Sequence, residues 1–71
     1  MPLYLAPTGE ELTIVSIAAE DRLKTYLHSL GIAVSTKVVR LSGDARGVTL
    51  QVMGGKLALD GVLARKIFVS F

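Results

Sequence analysis

The sequence predicts a mainly β fold. It is a small closed or nearly closed barrel of five short strands, with one α-helix inserted between strands 1 and 2 and a short helical turn before the last strand. Three observations predict it. Short runs rich in β-branched residues are separated by turn clusters. A single segment switches to a helical apolar period. The chain has 71 residues, and in so short a chain a closed sheet removes the exposed edges that five small strands would otherwise leave.

Each element follows in order. "ELTIVSIA" comes after the turn-like "PTG" and before acidic residues, and reads as a strand over Leu12–Ala18. "EDRLKTYLHSLG" places Leu23, Leu27 and Leu30 at i, i+4 and i+7 with Tyr26 beside them, one apolar stripe that faces the barrel interior and caps an open end. Arg22, Lys24 and His28 fall off that stripe, while Glu20 and Asp21 sit at the start, where the helix dipole favours negative charge. Gly31 reads as the left-handed residue that stops the helix. "TKVVRL" returns to strand character, and Ser42–Gly47 is a turn cluster. "VTLQVM" alternates, with Val48, Leu50 and Val52 on one face. Gly54–Gly55 is read as a two-residue hairpin turn, followed by "KLAL" with Leu57 and Leu59 inward. Asp60 caps a single helical turn through Ala64. "KIFVSF" closes the chain with Ile67, Val69 and Phe71 on one side.

Composition bounds the function. The length fits one domain over residues 1–71. The absence of cysteine excludes disulfides, thiolate metal sites and cysteine nucleophiles, and accords with a reducing compartment. Hydrophobic residues make up 51% of the chain, more than so small an interior hides, so apolar surface is expected to face a partner or a second copy. A net charge of +2 is only mildly basic, and Lys and Arg are spread from Arg22 to Lys66. Apolar runs are far shorter than the ~18–20 residues of a bilayer helix, so no direct membrane insertion is expected. "MPLYLAPTGEE" lacks the basic start of a secretory signal, and a cytoplasmic location is expected.

Little points to chemistry. His28 is the only histidine and the one candidate metal ligand, yet a metal site needs three or four converging donors. None of the acids Glu10, Glu11, Glu20, Asp21, Asp44 and Asp60 stands four residues from it, and Lys24 takes the i−4 place. His28 reads more simply as a surface residue near the helix end. Ser29, Ser42 and Ser70 lack a nucleophile elbow. "GDARG" and "MGGKLAL" read as hairpin turns and not as phosphate loops. No enzyme and no cofactor are expected. Arg40, Arg46, Lys37, Lys56 and Lys66 would supply a basic surface, but of these only Lys66 stands among the aromatics Tyr4, Tyr26, Phe68 and Phe71. Base stacking needs such interleaving, so no nucleic acid is expected.

The order of these pieces resembles the FeoA family over essentially the whole chain. "LHSLGI" matches a family leucine-x-x-leucine-glycine pattern, and "GGKLALDGVLARKIFV" matches the family's ending. The chain departs from the family at Ser35, where a glycine is common, and in "SGDARGVTL", which lacks a common proline. The resemblance implies an SH3-like barrel and a cytosolic accessory role in bacterial ferrous iron uptake. It also implies a partner, a ferrous iron permease carrying a cytosolic G-protein-like domain. Tyr26, His28, Leu30, Gly31 and Ile32, at the end of the helix, are the expected contacts. The alternatives are a nucleic-acid-associated or regulatory barrel, also found at the end of some metal-dependent repressors, and a transition-metal carrier centred on His28.

Overall fold

The computed structural model describes all residues, Met1–Phe71. Five strands form one antiparallel sheet: β1 Glu11–Ile17, β2 Lys37–Asp44, β3 Gly47–Val52, β4 Gly55–Asp60 and β5 Ile67–Ser70. Their spatial order is β4-β3-β2-β1-β5. Helix α1, Asp21–Ser29, lies between β1 and β2, and the one-turn α2, Gly61–Ala64, between β4 and β5. The kind and order of elements are those the sequence predicts. β4 and β5 do not pair with each other, so the barrel is nearly closed and keeps two edges.

Two bulges curl the sheet. In β1 the register slips between Ile14 and Ser16, so Val15 faces out and the buried positions run Leu12, Ile14, Ile17. In β2 the slip falls between Arg40 and Ser42. An extra residue on one strand of a pair bends that strand and increases its twist.

The hairpins differ from expectation. Ser42, Gly43 and Asp44 are not turn residues but pair with Thr49, Val48 and Gly47. Only Ala45 and Arg46 connect β2 to β3, and Asp44 Oδ1 closes the turn by accepting the Arg46 N–H at 2.8 Å. The next turn is Met53–Gly54, with φ of 51° and 81°, and Gly55 already pairs with Val52. That register sets Val48 opposite Leu59. It also leaves the Gly61 N–H free to donate to the Arg46 carbonyl at 2.8 Å as α2 begins. Asp60 caps α2 by accepting the Leu63 N–H at 2.8 Å. Phe71 does not share the inner side with Ile67 and Val69. It runs past Ser70, the last paired residue of β5, and is 75% exposed.

The segment before β1 is part of the barrel. A 3-10 turn, Leu3–Leu5, buries Leu3 and Ala6 in the core. The Met1 ammonium donates to the Val69 carbonyl at 2.9 Å, and the Val69 N–H returns a bond to the Met1 carbonyl at 2.8 Å. Pro2 bridges to Phe68. The outer edge of β5 is thereby covered.

One cluster of buried side chains fills the interior, with Leu27 and Ile32 at its helical end and Leu23 and Leu30 packed partly buried against it. Its one polar member is Arg40, 9% exposed. The Arg40 guanidinium donates to the Ala6 carbonyl at 2.8 Å and to the Gly43 carbonyl, so it ties the first segment to the bulged part of β2. Arg40, expected on a basic surface, is instead a structural cation: the β2 alternation turns it inward beside Val38.

Candidate partner-binding site

The end of α1 is fixed by its backbone. The Ile32 N–H donates to the Leu27 carbonyl at 2.9 Å and the Gly31 N–H to the His28 carbonyl at 3.0 Å, the paired bonds of a Schellman stop. Gly31 has a φ of 91°, which only glycine adopts without steric cost. It is also a place of close approach. A Cβ there would lie 3.1 Å from Val52 Cγ1 and 3.2 Å from Met53 Sδ. The helix end therefore rests on the β3–β4 turn.

The residues expected there divide by depth. Tyr26 is 53% exposed. His28 is exposed, and Leu30 and Gly31 are half-buried. Ile32 is 0% exposed, so it cannot touch a partner. It follows the Schellman glycine at the position whose side chain turns back under the helix, and both it and Leu27 belong to the core.

Sequence reasoning missed the most exposed member of this surface. Met53, at the tip of the β3–β4 turn, is 86% exposed. A flexible thioether so placed adapts to irregular apolar surfaces. The signal for it was an apolar residue at a hairpin tip, where packing asks for none. On its far side opens a shallow groove of about 150 Å³ lined by Glu11, Lys37, Val38, Val39, Gln51 and Met53, among others. Lys37 and Glu11 form an ion pair of 3.4 Å at its rim; an exposed pair of this kind contributes little to stability.

The geometry brings no set of metal donors together around His28. No group of three or more His, Asp or Glu side chains is placed to hold a metal ion. The basic residues are dispersed as well. Arg40 is buried, Lys37 pairs with Glu11 and Arg46 with Asp44. The Arg65 guanidinium stands over the Tyr4 ring at 5.8 Å.

Residues 1–70 match the FeoA domain. The chain belongs to the FeoA family. Solved structures agree with this fold. An iron uptake regulatory protein (FeoA) superposes with a TM-score of 0.87 at 23% identity, over 97% of this chain and 93% of that one. The FeoA protein from Chlorobium tepidum gives 0.81 at 26% identity, over 97% and 68%. ScaR with bound zinc gives 0.85 at 24% identity, but the likeness covers 97% of this chain and only 35% of ScaR. No curated protein matches the chain. The FeoA and SH3-like expectations of the sequence thus hold, and membership of the family carries an accessory role in ferrous iron transport. No helix of this FeoA domain is long and apolar enough to cross a membrane.

Proposed function

We propose that this FeoA domain is a cytosolic protein–protein interaction module of ferrous iron uptake. Its partner is a permease carrying a G-protein-like domain. The contact surface is the end of α1, with Tyr26, His28, Leu30 and Gly31, extended by Met53; Ile32 supports it from beneath. The observation that carries the reading is Met53 seated against Gly31 while 86% exposed. Helix end and hairpin tip meet in one surface whose exposed members, Tyr26, His28 and Met53, lie outside the core while Leu30 packs partly against it, which suits a partner and not a substrate. The match to the FeoA domain supports the transport setting, and the absence of any donor cluster around His28 gives no support to a metal carrier.

The test is an NMR titration of the labelled chain with the G-protein-like region of the permease, and a separate anaerobic titration with ferrous iron. Shifts at Tyr26–Gly31 and Met53 on adding the permease region, weakened by Met53→Ser and by Tyr26→Ala, are expected. Shifts confined to His28 and nearby carboxylates on adding iron would replace this reading with the metal carrier.

A further inference from the structure

The fold treats its two sheet edges differently. The outer edge of β5 is occupied by Met1 and Pro2 of the same chain. The outer edge of β4 has no strand beside it. Exposed edges are usually blunted by short length, charged side chains, proline or a bulge, and the charges on β4 are Lys56 and Asp60, of opposite sign. β4 has no proline, and its register with β3 runs without a break from Val52↔Gly55 to Gly47↔Asp60.

The hairpin decides which backbone groups are free. Residues flanking a two-residue turn exchange both backbone bonds, and such pairs alternate along the ladder. Gly55, Leu57 and Leu59 thus bond to β3, while Lys56 and Ala58 turn their N–H and C=O outward. Asp60 likewise turns its N–H outward. The side chains of Lys56, Ala58 and Asp60 are all exposed, whereas Leu57 and Leu59 point in.

We propose that two copies of this chain pair through their β4 edges, antiparallel about a two-fold axis at Ala58, so that the sheet continues from one copy into the next. The occupant is a second copy because the edge is complementary to itself. With Ala58 opposite the partner's Ala58, Lys56 lies opposite the partner's Asp60, and Asp60 opposite the partner's Lys56. The opposed charges fall on the same face of the joined sheet. Asp60 uses Oδ1 to cap α2, which leaves Oδ2 for the ammonium. Ala58, on the axis, has a side chain small enough for close approach.

The covered β5 edge sets the symmetry. A β4-to-β5 contact would repeat head to tail and build rings or filaments, whereas a β4-to-β4 contact closes as a dimer. The contact is one short ladder, Lys56–Asp60 on each copy, so a reversible dimer is expected at high protein concentration.

Sedimentation velocity of the full chain over a concentration series reaching millimolar tests this. A monomer–dimer equilibrium is expected, with concentration-dependent amide shifts at Lys56, Ala58 and Asp60. Lys56→Asp sets carboxylates against each other and raises the dimer Kd by about tenfold or more. Asp60→Lys sets ammonium groups against each other, and an equimolar mixture of these two variants restores a heterodimer. Asp60→Asn retains a capping side chain and weakens the dimer without loss of fold. Ala58→Pro removes the N–H on the axis while touching no bond to β3. A monomer at every concentration overturns the proposal. So does a dimer indifferent to Lys56→Asp and Ala58→Pro, or one whose shifts centre on Tyr26 and Met53.

Discussion

At Ser35 the chain keeps a backbone that suits glycine and fills it with a side chain. Its φ is 76°, and its N–H donates to the Ile14 carbonyl at 2.7 Å, so the conformation is held by the entry into β2. A left-handed non-glycine residue costs roughly 1–2 kcal/mol, offset in part by the extra freedom glycine gives the unfolded chain. Ser35→Gly is expected to stabilise the fold by about 0.5–1 kcal/mol, read from urea midpoints. Arg40 is the opposite case. Arg40→Met fills much of the same space but leaves the Ala6 and Gly43 carbonyls without their charged donor, and a loss of about 2–3 kcal/mol is expected in the same assay. Asp44 bears on pH. The Arg46 backbone N–H, aided by its guanidinium, holds the Asp44 carboxyl below the usual carboxylate range. Its contribution is therefore full above the unfolded value of about 3.9 and is lost as pH falls through the lower folded value. Acid titration of Asp44→Asn should show a smaller loss of stability below that point than the parent chain.

At the scale of the element, local rules were the legible ones. The Leu23/Leu27/Leu30 stripe, the stop at Gly31 and the Asp60 cap each depend on residues within one or two turns of chain. The stop and the cap are as the sequence predicts, and of the stripe Leu27 is buried while Leu23 and Leu30 are half-buried against the core. Gly31→Ala tests the stop. It forces a Cβ into the left-handed region and against Val52 and Met53, so a loss of about 1 kcal/mol or more is expected in thermal melts. What was illegible depends on distant chain. The hairpin was read one residue late because Met53 carries no turn signature, and only the pairing of Val48 with Leu59 and the start of α2 select it. The β1 and β2 bulges leave no mark in local composition. Ile32 looked exposed because it follows the helix, yet the Schellman bonds turn it inward.

For the whole molecule, the main surprise is that the residues before β1 belong to the core. Nothing in "MPLYLAP" announces a strand or an amphipathic helix, but Leu3 and Ala6 are buried and Arg40 reaches across to hold Ala6. This segment is expected to unfold with the barrel. The Val69 amide, bonded to Met1, should exchange with solvent as slowly as the central β3 amides in native-state hydrogen exchange. Exchange faster by orders of magnitude would mean that the segment frays on its own.

That bond also orders events in time. Met1 and Val69 are 68 residues apart, so the contact closes a loop of almost the entire chain, the kind of closure that forms slowly and late. On a ribosome, Leu3 and Ala6 emerge long before β5, and their place in the interior does not exist until β5 has been made. A nascent barrel therefore holds Leu3 and Ala6 without cover until β5 appears, and chaperone capture of unfinished chains is to be looked for at these residues.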